Sequence, residues 1–126
     1  MKKDFSAGWG NSKKPSKQRK YRINAPLHIK QKFVHCHLSK ELRKKYGIRN
    51  ISLRKGDKVK IMSGKFKKQE GKVDSINLKE SKIFVSGAEI TKKDGSKKMV
   101  QIHPSNLMIT ELTLDDKLRQ KSLERN

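Results

Sequence analysis

Eight cationic side chains, Arg54, Lys55, Lys58, Lys60, Lys65, Lys67, Lys68 and Lys72, fall within the stretch LRKGDKVKIMSGKFKKQEGKVDSI that runs from Leu53 to Ile76. Ammonium and guanidinium groups at that density are suited to neutralising a phosphate backbone. The groups that catalysis needs are not arranged for it. Asp57, Glu70, Asp74, Glu80, Glu89 and Asp94 are scattered and mostly stand beside lysines, and the sequence holds no Ser-His-acid set, no Cys-His set and no phosphate-loop glycine pattern. An enzyme is therefore not expected. His35-Cys36-His37 brings three metal-ligand types together, but adjacent side chains do not easily converge on one ion and no fourth partner sits at a zinc-like spacing. A buried thiol between two polar imidazoles is the expected reading, with no metal and no cofactor.

The cations need a scaffold, and the same stretch supplies one. Val59 and Ile61 alternate with Lys58, Lys60 and Met62, the period of a strand with one packed face and one charged face. Lys55-Gly56-Asp57 is turn chemistry, Ser63-Gly64 breaks the pattern, Lys65 to Glu70 make a polar loop, and Gly71-Lys72-Val73 restarts an extended run to Ile76. A loop tied to strands at both ends holds several ammonium groups at fixed spacing. Gly64 and Gly71 supply backbone conformations, or close approaches, that a side chain would block. The stretch resembles the KOW motif of small barrels in ribosomal and transcription-elongation proteins, through Gly56, Asp57, Val59, Gly64, Lys65, Gly71, Lys72 and Val73. It departs from that motif at Lys68, where a glycine is common.

Charge sets the partner class. With 33 Lys plus Arg against 12 Asp plus Glu among 126 residues, the net charge is +21, and only 32% of residues are hydrophobic. A chain this positive repels itself when compact, so a polyanion is expected, nucleic acid first and an anionic membrane surface second. No apolar run is long enough to span a bilayer, and the opening MKKDFSAGWGNSKK lacks the apolar middle of a signal peptide, so a cytoplasmic location is expected. The single cysteine, Cys36, has no internal disulfide partner.

Four segments follow. Residues 1–23 form a basic tail, expected to be disordered alone and either solubilising or ordered along RNA, with Phe5, Trp9 and Tyr21 able to stack on bases or pack on the protein. Residues 24–50 form a helical extension. Its first helix starts near Asn24 and Pro26, with Ile29, Phe33 and Cys36 on one face; its second is capped by Ser39, carries Leu42 and Tyr46 four apart and stops at Gly47. Residues 51–113 form a mainly β, small closed or half-closed barrel of five short strands, including Lys82 to Ser86, an Asp94-Gly95 hairpin and a run from Leu107 to Leu112 after the Pro104 turn. Residues 114–126 form a last helix, capped by Thr113 with Asp116, with Leu118 inward and Lys117, Arg119, Lys121 and Arg125 outward.

The succession of Asn24-Ala25-Pro26, Leu38-Ser39-Lys40-Glu41-Leu42-Arg43, the KOW-like stretch, Asp94-Gly95, Ile102-His103-Pro104-Ser105-Asn106 and Leu114-Asp115-Asp116-Lys117 resembles the archaeal and eukaryotic form of the large-subunit ribosomal protein L twenty-four family, from about Lys17 onward. The resemblance implies an SH3-like barrel, direct binding to the 5′ region of large-subunit (23S-type) rRNA, neighbouring large-subunit proteins as partners, an early role in assembly and a place near the exit of the nascent-peptide tunnel. A soluble KOW-type transcription or RNA-maturation factor is the rival reading.

The residues themselves indicate multivalent phosphate contact. Besides the barrel edge, the expected contacts are Lys13, Lys14, Lys17, Arg19, Lys20 and Arg22 of the tail, Lys30, Lys32 and Arg43 of the extension, and Lys97 and Lys98 of the hairpin. His103 and Asn106 either hydrogen-bond a base or sugar or satisfy the backbone of the proline turn. Gly56, Gly64, Gly71 and Pro104 are expected to be structural.

Overall fold

The computed structural model describes residues 4–125. Seven strands, β1 (His35–Leu38), β2 (Asn50–Ser52), β3 (Lys58–Ile61), β4 (Glu70–Asn77), β5 (Lys82–Thr91), β6 (Lys97–Ile102) and β7 (Leu107–Glu111), form one sheet in the order β2-β1-β7-β3-β4-β5-β6. Around it lie α1 (Pro15–Asn24), α2 (Leu27–Phe33), α3 (Lys40–Tyr46) and α4 (Lys117–Glu124), with 3-10 turns at Ala7–Asn11 and Pro104–Asn106. β1 runs parallel to β7 and the other pairs are antiparallel. The fold is mainly β, small and barrel-like, with helical attachments.

Period-two alternation builds the core. Val59 and Ile61 of β3, Val73 of β4, Ile83 and Val85 of β5, and Leu107 and Ile109 of β7 are buried together with Leu38 of β1. Each such side chain contributes about 1.5–3 kcal/mol of hydrophobic stabilisation. Local chemistry closes the connections. Ser39 Oγ accepts from Leu42 N at 3.4 Å to start α3, and Gly47 ends it in the left-handed region at φ 68°. At the hairpin, Lys92 N donates to Ser96 O at 2.8 Å, Gly95 takes φ 84°, and Asp94 Oδ1 accepts from Ser96 N at 2.9 Å.

Several expectations are corrected. The extension is not purely helical. β1 separates α2 from α3 and pairs with β2, so Cys36 sits in a strand rather than on a helix face. The cause is the alternation of buried Val34, Cys36 and Leu38 with more exposed His35 and His37, beside a free edge of β7. Lys82 to Ser86 and Glu89 to Thr91 form one strand, β5, whose pairing with β6 shifts register between Phe84 and Glu89, with Gly87 at φ 88°. The tail is structured over its described part. Phe5 stacks on Tyr21 at 5.5 Å between ring centroids, Tyr21 meets Phe33 edge-on at 5.8 Å, and Gln18 Nε2 lies 2.7 Å from Ser12 O and 3.0 Å from Gly10 O. Phe5 and Tyr21 of the tail therefore pack on their own chain. Met1 to Lys3 of the tail and Asn126 of the last helix lie outside the described residues.

The last helix begins three residues later than expected. Asp116 Oδ1 accepts from Leu118 N at 3.0 Å, and Asp116 rather than Thr113 is its cap. Two of its residues also change places: Leu118 is 74% exposed and Arg119 is buried with Leu123, while Lys117, Lys121 and Arg125 face outward as expected. Arg119 turns inward because Asp57, fully buried in the turn before β3, receives it in a two-pronged ion pair. Asp57 Oδ1 accepts from Arg119 Nη1 and Oδ2 from Nη2, both at 2.7 Å. The same oxygens accept from Thr113 N and Arg54 N at 2.9 Å, so four donors converge on one carboxylate. Arg119 also donates to Thr113 O at 2.8 Å and Ser52 O at 3.1 Å.

Gly71 lies opposite Val59, and a Cβ there would stand 2.4 Å from Ser86 O and 2.8 Å from Val85 Cγ1. The requirement is close approach of backbone. Gly71→Val is expected to lower unfolding free energy by about 3 kcal/mol in a urea titration, and an undiminished midpoint would contradict the contact. Asp57→Ala strands the buried Arg119 charge and is expected to cost about 3–5 kcal/mol by the same measurement; a change below about 0.5 kcal/mol, the scale of an ordinary surface substitution, would show the pair to be dispensable.

Candidate nucleic-acid interface

The β3–β4 loop is held by its own backbone. Lys68 N donates to Ile61 O at 2.8 Å, Ile61 N to Gln69 O at 2.9 Å, Gln69 N to Phe66 O at 3.1 Å and Met62 N to Asn106 O at 2.7 Å. Half-buried Phe66 packs against the core, which leaves Lys65, Lys67 and Lys68 exposed on a fixed frame. Gly64 takes φ 95° with open space around it, so its role is conformational. Lys68 also sits in the left-handed region, at φ 74°. The departure from glycine at this position therefore keeps the turn, at a backbone cost of about 1 kcal/mol.

The barrel edge is less uniformly positive than the sequence implies. Lys58 stands opposite Lys72 in the β3–β4 register and next to Glu111 of β7. Lys58 Nζ bonds Glu111 Oε1 at 2.9 Å, which raises the lysine's pKa through that hydrogen bond and charge. Lys60 pairs with Glu70 at 3.6 Å, Lys97 pairs with Glu89 at 3.8 Å, and Arg54 pairs with Asp116. The Asp116 carboxyl is held below its usual range by the Leu118 amide and then by Arg54. Among the described residues no carboxylate forms an ion pair with Lys55, Lys65, Lys67, Lys68, Lys72 or Lys98. These are the side chains left to meet an external anion.

Beyond the barrel, residues 89–98 are exposed throughout, so the ends of β5 and β6 form a ribbon that carries Lys92, Lys93, Lys97 and Lys98. Lys13 and Lys14 precede α1, and Lys17, Arg19, Lys20 and Arg22 lie on it, all exposed, as is Lys32 on α2. Arg43 is half-buried, its Nε donating to Leu38 O at 2.8 Å. Lys30 is withdrawn from the exposed set. It is only 9% accessible, and its Nζ donates to Lys79 O at 3.1 Å.

His103 caps the Pro104 turn. Its Nδ1 accepts from Ser105 N at 3.3 Å and lies 2.8 Å from Ser105 Oγ. Burial, then Lys82 and Arg22, lower its pKa, so the ring is neutral at physiological pH. Asn106 donates through its backbone N to His103 O at 3.0 Å, and its carbonyl receives Met62 N. Of the two roles open to this pair, the structure supplies the turn-stabilising one.

A cleft of about 1070 Å³ lies between the α1–α2 junction and the β4–β5 turn, where Arg22, Lys79 and Lys82 stand beside Leu27 and Phe33. Nothing local in the sequence links residues 22–33 to 79–82. No helix among the described residues is long and apolar enough to cross a membrane.

Residues 12–126 match the family of eukaryotic L26 and archaeal L24 ribosomal proteins. A large ribosomal subunit protein uL24 from Korarchaeum cryptofilum (strain OPF8) is 49% identical over 114 residues, covering 90% of this chain and 87% of that protein. Its counterpart from Methanothrix thermoacetophila is 50% identical over 114 residues, covering 90% of this chain and 98% of that protein.

Strand alternation in β1 separates the would-be metal ligands. His35 and His37 face outward, and Cys36 faces the core with its Sγ 3.1 Å from Pro104 O. Burial, and then the Asp57 charge, push its thiol up to about 12. Cys36 is therefore expected to resist iodoacetamide at pH 8 in the folded protein and to label in urea at the rate of a free thiol; rapid labelling without denaturant would contradict the burial.

Proposed function

The chain belongs to the family of eukaryotic L26 and archaeal L24 ribosomal proteins, and on that premise we propose that it grips large-subunit rRNA directly, by many lysine and arginine contacts to phosphate. As a member it is a structural constituent of the large ribosomal subunit, located there in the cytoplasm, and not an enzyme. The observation that carries the RNA reading is the β3–β4 loop, where Lys65, Lys67 and Lys68 are exposed, unpaired with any described carboxylate and fixed by backbone hydrogen bonds.

Three such loci, the loop, the β5–β6 ribbon and α1, present cations from separate elements. Separate loci favour recognition of a folded RNA by the spacing of its phosphates, since ammonium groups read backbone geometry well and base edges poorly. Interleaved Glu70 and Glu111 on the β3–β7 face make that face a weaker partner for phosphate than the loop. The reading extends, from the family resemblance, to the 5′ region of 23S-type rRNA, early entry into assembly, neighbouring large-subunit proteins and a position by the nascent-peptide exit. A soluble factor that exchanges on and off its RNA is the competing reading.

Binding of the full chain to large-subunit rRNA, titrated with salt, provides the test. With about ten phosphates neutralised, the log-log slope is expected near −7 to −9. The joint change of Lys65, Lys67 and Lys68 to Ala is expected to make that slope shallower by about 2 to 3 with an unchanged Tm. A wild-type slope near zero would overturn the reading, and an unaltered slope in the variant would remove the loop from it.

A further inference from the structure

We propose that the cleft between the α1–α2 junction and the β4–β5 turn receives a single unpaired nucleotide of the RNA, with its phosphate toward Lys30 and its base against Leu27 and Phe33. This rests on the rRNA reading above and adds a defined nucleotide pocket to it.

Lys30 is the principal observation. Its ammonium carries three donors, yet the residue is only 9% accessible and, among the described residues, makes a single hydrogen bond, to Lys79 O at 3.1 Å. Among the described residues no carboxylate pairs with it. A buried cation without a counter-ion is costly, and this one lines an open cleft, so an external anion completes it. Arg22 and Lys82 line the same cleft, with Glu80 as its one acid.

The walls match the other half of a nucleotide. Leu27 is 57% exposed and neighbouring Ile23 is 65% exposed, large aliphatic surfaces in a strongly charged chain, and Phe33 stands behind them in edge contact with Tyr21. A base offers a flat apolar face that covers such surface whatever its identity. At about 1070 Å³ the cleft lies just above the usual range of small-ligand sites, roughly 300–1,000 Å³, which leaves room for a nucleotide with flanking backbone.

One wall is also preformed. Asn77 Oδ1 accepts from Lys79 N at 3.1 Å and Glu80 N at 3.4 Å, and Ser81 is held at φ 53°, a left-handed conformation that non-glycine residues adopt at a cost. An apolar segment of a neighbouring protein would fit Ile23 and Leu27 but would leave the Lys30 ammonium with Lys79 O and no counter-ion, which weighs against that occupant.

For the test, Leu27 is replaced by p-benzoylphenylalanine in the full chain, which is bound to large-subunit rRNA, both alone and within large subunits, and irradiated. Cross-links confined to one or two adjacent nucleotides are expected. Cross-links to a protein neighbour, or spread over many nucleotides, would overturn the pocket. Two variants read the same site by affinity. Lys30→Gln is expected to weaken rRNA binding about tenfold and make the salt slope shallower by about one. Because Lys30 is buried, Leu27→Ser serves as the second variant, expected to weaken binding about fivefold with the slope and Tm unchanged, and full affinity in Leu27→Ser would count against the pocket. Wild-type binding with the expected salt dependence, together with a protein cross-link, sinks the pocket alone. Absence of wild-type binding sinks the pocket and the rRNA reading together.

Discussion

The ion pair between Asp57 and Arg119 is the constraint on which the geometry of this small fold depends. It binds the turn before β3, the end of β2 through Ser52 O, the segment after β7 through Thr113, and α4 to one carboxylate. Taking two charges out of water is expensive, and a buried pair of this kind adds modest net stability compared with an apolar substitute. What it adds is definition. Each oxygen of Asp57 receives two donors, so the turn has one arrangement that satisfies the carboxylate, and β3 leaves it in one register. Among the described residues Arg119 Nε finds no hydrogen-bond partner, which makes this site tightly specified without being fully satisfied.

That definition matters because the rest of the molecule works against compactness. A net charge of +21 on 126 residues is self-repelling, and the chain divides the burden. On the outer face of the sheet, carboxylates from β4 and β7 are interleaved with Lys60 and Lys58. On the β3–β4 loop, the β5–β6 ribbon and α1, most cations stand apart from acids. Exposed ion pairs contribute little stability each, but their placement directs the unpaired charge toward projecting elements. Those are the elements able to enter grooves of a folded polyanion.

What was legible in the sequence was what local chemistry decides. Ser39 and Gly47 bracket α3, Asp94-Gly95 turns the hairpin, and alternation of Val59 and Ile61 identifies β3, all within a few residues. The glycine-centred loop could be read for the same reason, down to the altered position at Lys68. β1 could not, because four residues between two helices give too short an alternation, and its strand character depends on β7 far along the chain. Arg119 looked like one more surface cation on a basic helix, since its partner lies 62 residues away. The burial of Lys30 was illegible for the same reason. Its burial follows from the carbonyl of Lys79, 49 residues on, and a pattern of charges along one helix cannot disclose that.

The parallel pairing of β1 with β7 has a kinetic corollary. Cys36 reaches Pro104 across 68 residues, and the carboxylate of Asp57 waits for an arginine near the end of the chain. Topologies dominated by such distant contacts fold slowly, because loop closure precedes any reward. During translation β1 can pair with β2 soon after both emerge, but its other edge stays open until β7 has been made. Sealing of the sheet is thus a late event, and the interval before it is when a chain with an unpaired strand edge and this much positive charge most needs shielding.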